Sequence, residues 1–336
     1  MGGEDTPVAD PERIERCAER IRAGGLVAFP TETVYGLGAD AFNEDAVRRV
    51  FELKGRPAGN PLIVHVDGAE MAGRVVREWT DEAQRLADVF WPGPLTLVLE
   101  KGERVPSVVT GGGATVGVRC PDHPLTLALI SACGTPLVGP SANPSGRVSP
   151  TTADHVREAF EASDVLTLDG GACRAGIEST VLDLTTTPAR VLRLGVIGAE
   201  RIQAALGREV VVEAHSRGGD APARSPGLLG PHYAPSAPVR LISTRDELDR
   251  MVRGLGGGVI ALVIEGSGLG GRGVRTIEMP SDPGGYAARL YAALREADAG
   301  KPPMIAVQRP PSGGETPEAR AIWAAVLERL TRAADA

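Results

Sequence analysis

Residues 29–66 read FPTETVYGLGADAFNEDAVRRVFELKGRPAGNPLIVHV, and the rest of the chain is read outward from them. A short apolar strand, Leu26–Phe29, leads into a polar Thr/Glu/Gly loop, a helix, a basic turn and a second strand at Pro61–Val66. Asn43 suits the N-cap of that helix, because its side chain can accept from an otherwise unpaired backbone N–H. Val47, Val50 and Phe51 recur at i, i+3, i+4 and mark the buried face. Lys54 follows on that face at the C-terminal end, where the dipole favours a cation. Arg56 comes next, in a Gly/Pro/Asn turn. Thr31, Glu32, Thr33 and Tyr35 therefore leave a strand end while Lys54 and Arg56 leave a helix end. Folded back, the two sets face one cleft. The only lysines are Lys54, Lys101 and Lys301; arginine supplies the other side-chain cations. A lysine kept beside Arg56 reads either as a compact ammonium needed there or as a helix cap.

With 336 residues the chain has room for two domains. Hydrophobic residues make up 42% and aromatics 4%, so the cores are built from Val, Leu and Ala. A net charge of −7 argues against broad nucleic-acid coating, though not against a local basic pocket. Cys17, Cys120, Cys133 and Cys173 form no CxxC pair, so reduced thiols in a cytoplasmic protein are expected and a structural metal is not. No apolar run reaches membrane-spanning length. The start MGGEDT fits a loose myristoylation pattern but reads better as an acidic tail.

Asp10-Pro11-Glu12 starts a helix with an Ile14, Cys17/Ala18, Ile21 stripe. Two short helices follow between Ala69 and Phe90, then strands at Leu95–Leu99 and Thr115–Arg119, a helix over His123–Ala132 and a strand at Pro136–Val138. A helix capped by Thr151 or Thr152 precedes strands at Val165–Leu168, Ser179–Leu184 and Val191–Leu194, and a helix at Ala199–Leu206. Residues 10–208 thus form an α/β domain on a partly antiparallel sheet. Residues 209–238 are Gly/Pro/Ala/Ser-rich and read as a linker, and residues 239–336 alternate strand and helix as a smaller α/β domain. Within the latter, Thr244-x-x-Glu247 is a capping box.

Gly266-x-Gly268-x-x-Gly271 matches a dinucleotide fingerprint by letters, but a strand follows it, so a surface loop is the better reading. Gly139-x-Ser141-x-Asn143 is followed by Pro144, which argues against a nucleophile elbow. Ser141, Asn143 and Ser145, like Glu178-Ser179-Thr180, read either as ligand-binding hydroxyls and amides or as ordinary Asx/ST turns. Arg119 and Arg193 end apolar strands, either stem-packed with a solvated head or as carboxylate or phosphate ligands. His65 alone reads as a core histidine. All these groups fall at strand ends, where open α/β sheets bind ligands. Hydroxyls and cations without paired carboxylates suit polyphosphate chemistry, where the protein positions reactants and neutralises charge.

PTETVYGLG, the KGR turn, NPLIVHV, GPSANPSG, GIESTVLDL, VLRLG and SPG…HYAP occur in one order over residues 10–236. This set resembles the threonylcarbamoyl-AMP synthase family in its long, two-domain form. The resemblance implies a YrdC-like mixed twisted sheet with a central cleft, plus a Rossmann-like C-terminal α/β domain. It implies a nucleotidyltransferase that makes L-threonylcarbamoyladenylate and pyrophosphate from L-threonine, bicarbonate and ATP. Mg2+ would accompany ATP, and the product would pass to the tRNA threonylcarbamoyl transferase machinery, with a weak RNA contact left open. Carried over by position, threonine contacts fall on Thr33, His65, Arg119, Ser141 and Ser179. ATP contacts fall on Lys54, Arg56, Asn60, Thr115, Asn143, Thr151, Arg193 and Tyr233, with Lys54 and Arg56 as the catalytic cations. Ser225-Pro226-Gly227 and the HYAP run would form a lid, its Leu228–Pro231 insert closing by apolar contact. An RNA-binding module is disfavoured by the acidic total, and a hydrogenase-maturation carbamoyltransferase by the lack of zinc-finger cysteines.

Overall fold

The computed structural model describes residues 10–213, 233–270 and 273–335; the acidic tail, Ser225-Pro226-Gly227, Leu228–Pro231, His232 and Gly271 lie outside them. In chain order the first domain contains α1 (Pro11–Arg22), β1 (Val27–Phe29), β2 (Gly36–Asp40), α2 (Glu44–Lys54), β3 (Ile63–His65), α3 (Ala69–Gly73), α4 (Asp81–Phe90), β4 (Leu95–Glu100) and β5 (Thr115–Arg119). It continues with α5 (Pro124–Cys133), β6 (Leu137–Val138), α6 (Ala153–Ala159), β7 (Leu166–Thr167), β8 (Thr180–Asp183), β9 (Ala189–Arg193), α7 (Ala199–Leu206) and β10 (Val210–Val212). The second domain contains β11 (Val239–Ile242), α8 (Arg245–Leu255), β12 (Ile260–Ile264), β13 (Arg275–Met279), α9 (Pro283–Ala299), β14 (Ile305–Gln308) and α10 (Pro317–Ala334).

Local chemistry explains the helices nearest the cleft. Asn43 accepts from the Ala46 N–H at the start of α2, a cap worth about 1 kcal/mol. Val47, Val50 and Phe51 are buried, and Gly55 ends the helix at φ 58°, a left-handed conformation that costs glycine little. This abrupt stop aims Lys54 and Arg56 in different directions.

The ten strands of the first domain form one mixed sheet, in the order β10-β9-β8-β4-β5-β3-β6-β2-β1-β7. Two elements differ from expectation. Gly36–Asp40 is a strand, antiparallel to β1, where a loop was expected. Its glycines look like turn residues but serve packing: a Cβ on Gly36 or Gly38 would sit 2.8 Å from the Phe29 ring. Val210–Val212 pair in parallel with β9, so the sheet runs past residue 208 into the stretch read as linker.

The second sheet is wholly parallel, in the order β11-β14-β12-β13. Such a sheet needs cover on both faces. Leu248 of α8 packs with Ile242, Val259, Ala261 and Val263 on one side. The core on the other side joins Tyr286, Leu290 and Tyr291 of α9 and Trp323, Val326 and Leu330 of α10 to Val34, Val148, Ile177 and Tyr233. The second domain therefore packs through α9 and α10 against loops that carry the cleft of the first.

Candidate active site

Parallel pairing of β3 with β5 sets His65 beside Arg119, and Ile63 beside Gly117. Thr115, Gly117 and Arg119 alternate onto one sheet face, and Val116 and Val118 onto the other, where they join the core. The cleft opens on the first face. It encloses about 570 Å³, counting space open to solvent, and its lining includes Thr33, Arg56, His65, Arg119, Ser141, Ser179, Arg193 and Tyr233. Of the expected strand-end clusters, Thr33, Arg56, Arg119, Ser141, Ser179 and Arg193 thus share one cavity. Thr31, Gly139 and Glu178 also line it.

At one end Arg119 is held from three sides. Its Nε donates to the Gly93 carbonyl at 3.2 Å and its Nη1 to Thr33 Oγ1 at 2.9 Å. Nη2 approaches Glu32 Oε2 at 2.5 Å, but off hydrogen-bond alignment, so Nη2 and both Glu32 oxygens lack a hydrogen bond. Both residues are buried. His65 packs edge-on against Phe29, with ring centroids 5.5 Å apart, and its Nδ1 has no partner. Burial, with the Arg119 charge behind it, pushes the imidazole well below its ordinary pKa, so it stands neutral beside the guanidinium. A guanidinium with spare donors beside a neutral imidazole and hydroxyls can receive a carboxylate.

The other end carries Arg56 and Arg193. Arg56 donates from Nε to the Asn60 carbonyl and from Nη2 to Asn60 Oδ1 at 2.8 Å and Pro61 O at 2.7 Å. Asn60 does not line the cleft; it orients Arg56 from behind. Burial lowers the Arg56 pKa to about 10, with Tyr233 opposing and Arg193 adding to the shift. Arg193 donates to the Ser179 carbonyl and hydroxyl, each at 3.0 Å, and Ser179 Oγ lies 2.8 Å from Thr96 Oγ1. Ser179 thus meets the cavity from the side of Arg193. Two guanidiniums at one end of a cleft make an anion site.

Lys54, Asn143, Thr115 and Thr151 were expected as ATP contacts. None lines the cleft. Lys54 Nζ donates to the carbonyls of Ser141, at 2.6 Å, and Asn143, clamping the loop that presents Ser141. Burial, reinforced by Arg56, holds its pKa well below the ordinary lysine value. Asn143 Nδ2 donates to Pro144 O and Arg147 O, closing the same loop. Thr115 starts β5 and pairs with Glu100 of β4. The Thr151 N–H donates to His155 Nδ1 at 3.3 Å.

Glu178 was legible only as part of a polar turn. Its Oε1 accepts from Ser149 Oγ at 2.7 Å, and its Oε2 from Tyr291 Oη at 2.9 Å and Arg329 Nε at 3.2 Å. Burial would raise its pKa, but the Arg329 and Arg193 charges outweigh burial and hold it below the ordinary glutamate value. Two of these partners come from α9 and α10, so no local motif announces them. Tyr233 lines the cavity with its ring stacked on Tyr291, centroids 5.7 Å apart.

Similarity to known proteins covers both domains. Residues 19–195 match the family described as telomere recombination, and residues 197–335 match the threonylcarbamoyl-AMP synthase C-terminal domain. A threonylcarbamoyl-AMP synthase of Pyrococcus abyssi is 48% identical over 73% of this chain and 74% of its own length. One from Bacillus subtilis is 38% identical over 97% of this chain and 93% of its own. The crystal structure of P. abyssi Sua5 complexed with L-threonine superposes with a TM-score of 0.88, at 40% identity over 97% of this chain and 95% of that one. The chain belongs to the threonylcarbamoyl-AMP synthase family, and the match spans the second domain as well as the first.

Proposed function

We propose that the cleft holds L-threonine at its Arg119 end and ATP at its Arg56/Arg193 end, and joins them through a carboxylated amine. The observation that carries this reading is the convergence of Arg119, His65, Ser141, Ser179, Arg56 and Arg193 on one cavity. Arg119, with Thr33, takes the α-carboxylate of threonine, and Ser141 offers its hydroxyl to the same substrate. The free amine bonds to the carbon of bicarbonate-derived CO2 to give an N-carboxylate, and its proton leaves with the hydroxide of bicarbonate as water. One carboxylate oxygen bonds to the α-phosphorus of ATP, the bond from that phosphorus to the bridging oxygen breaks, and pyrophosphate leaves with the electron pair. Arg56 and Arg193 offset the charge that builds on the phosphates, the largest contribution protein groups make to such transfers. Tyr233 covers the nucleotide side. Lys54, Asn60, Asn143 and Thr151 act through the loops they hold, and Thr115 lies toward the nucleotide.

Magnesium belongs with the nucleotide in this scheme. Glu178 is engaged by Ser149, Tyr291 and Arg329, and Glu32 is paired with Arg119. Among the described residues no cluster of three His, Cys, Asp or Glu side chains could hold a metal. We assign Mg2+ to the triphosphate as part of the substrate. The same proposal has the product consumed by the tRNA threonylcarbamoyl transferase machinery, in the cytoplasm. Among the described residues no helix is long and apolar enough to cross a membrane.

The test is incubation with MgATP, fresh bicarbonate and labelled L-threonine. Threonine-dependent pyrophosphate and a labelled adenylate are expected; pyrophosphate release indifferent to threonine, or no adenylate, overturns the reading.

A further inference from the structure

Arg329 is the largest fully buried side chain among the described residues. It sits on α10 among Trp323, Val326, Leu330 and Ala333, where apolar packing alone would serve stability at least as well. Its donors reach across the domain boundary as well as along α10: Nε reaches Glu178 at 3.2 Å and Nη1 the Leu194 carbonyl at 2.6 Å, while Glu328 of the same helix lies 3.3 Å from Nη1. Tyr291 of α9 adds its hydroxyl to the same carboxylate. Tyr233 lies between them, stacked on Tyr291 with an interplanar angle of 22° and with the Arg329 guanidinium carbon 5.7 Å from its ring centre. Tyr233 also has φ 65°, a left-handed backbone that a tyrosine adopts only when its surroundings hold it there. Neither Arg329 nor Tyr291 lines the cleft, yet the residues they grip do, and the adjoining Ser179 and Arg193 complete that wall.

We propose that the second domain is a working part of the nucleotide wall: Arg329 and Tyr291 are positioning residues that hold the Glu178 carboxylate and the Tyr233 ring, and through Glu178 keep Arg193 on Ser179. The inference rests on the assignment of Arg193 and Tyr233 to ATP. Its physical core is competition for a cation. With Arg329 in place, the Glu178 oxygens are occupied and Arg193 is left to Ser179 and the ligand. Without Arg329, a buried carboxylate beside Arg193 recruits it, and the nucleotide loses a guanidinium and a flanking ring together. The threonine end has its own supports, Gly93, Thr33 and Glu32, and stays as it is.

The experiment compares full-length wild type, Arg329→Met, Arg329→Lys and Tyr291→Phe. Each is checked by circular dichroism and gel filtration, then titrated calorimetrically with α,β-methylene-ATP and, separately, with L-threonine. Arg329→Met is expected to weaken the nucleotide analogue at least tenfold while threonine affinity stays within twofold. Arg329→Lys restores the charge and recovers the analogue to within about threefold, and Tyr291→Phe loses about threefold. Unchanged nucleotide affinity in a folded Arg329→Met protein overturns the proposal, as do equal losses for both ligands, which signify general loosening. If Arg329→Met does not fold, Tyr291→Phe decides: no selective loss overturns the proposal. Wild type that forms adenylate while the folded variants match it sinks the inference alone. Wild type that forms no adenylate and binds no nucleotide sinks the functional reading, and the inference with it.

Discussion

Two buried Arg–Glu pairs flank the cleft, and they are built on opposite plans. Glu178 is saturated: Ser149, Tyr291 and Arg329 satisfy both oxygens across a domain boundary. Glu32 touches Arg119 at 2.5 Å with neither oxygen in a hydrogen bond, and both residues belong to the first domain. A saturated buried carboxylate resists change, because Glu178 without Arg329 is a poorly compensated charge in low dielectric. An unsaturated pair keeps hydrogen-bonding capacity in reserve, and the reserve on Arg119 faces the ligand. The cleft thus has a fixed wall, built by two domains, and an exchangeable one, built by strand ends.

The fixed wall gives the largest expected effect. Glu178→Gln keeps the shape and the Ser149 and Tyr291 contacts but leaves the Arg329 charge with Glu328, 3.3 Å away on the same helix, as its remaining carboxylate. Thermal unfolding should show a loss of about 3 kcal/mol, or roughly 6–12 °C in midpoint, since single partners removed from buried pairs cost about 3–5 kcal/mol. A shift below about 2 °C would mean that the carboxylate is not carrying Arg329, and the contrast between the two walls would fail.

Lys54 tests a third arrangement, a buried amine satisfied by carbonyls alone. Lys54→Met leaves the Ser141 and Asn143 carbonyls without their donor, and each orphaned buried acceptor costs about 1–3 kcal/mol. The loop relaxes toward solvent to recover part of this, so we expect about 2 kcal/mol in denaturant titration. Turnover should fall more than tenfold while the analogue still binds, because the clamp acts on Ser141 rather than on phosphate. Loss of nucleotide binding with an intact loop would instead return Lys54 to the phosphates.

Glu32→Gln should be milder. The pair is poorly aligned, so the cost is expected near 1 kcal/mol in the same titration. Removing the carboxylate frees the Arg119 charge for the substrate, and L-threonine should bind about threefold tighter by calorimetry, with nucleotide affinity unchanged. Weaker threonine binding would show that Glu32 orients Arg119 rather than competing for it.

How much of this was visible in the letters follows the same division. The exchangeable wall is written in local motifs: Asn43 caps, Val47, Val50 and Phe51 bury, and alternation along Thr115–Arg119 puts Arg119 on the cleft face. Lys54 was singled out by its rarity, but its partners are carbonyls, which no side-chain pattern records. The β2 strand was hidden because Gly36 and Gly38 answer to the Phe29 ring, a contact between two strands. The fixed wall was hidden for a stronger reason. Arg329 and Tyr291 meet Glu178 across more than a hundred residues of sequence, and each alone reads as an ordinary member of an amphipathic helix.

The smallest expected effect lies between the two walls, at His155. Burial and the Arg295 charge push its pKa down from the ordinary 6.5 to about 4, against the pull of Asp154. The Thr151 N–H donates to Nδ1, which requires that nitrogen to be unprotonated. Between pH 6.5 and about 4 the unfolded chain binds the proton and the folded chain does not, so stability rises with pH across that window and is lost as pH falls through it. The ring is partly exposed, and solvent screening reduces the contribution to about 1 kcal/mol. His155→Gln should therefore flatten the acid limb of the stability curve by about that amount and leave pH 8 stability nearly unchanged. Arg295→Gln should move the same limb part of the way, because Arg295 reaches this loop from α9. An acid limb indifferent to both would mean that Glu178, whose depressed pKa also loses stability as pH falls, dominates acid unfolding, and the interdomain pair would then be the pH-sensitive element of the fold.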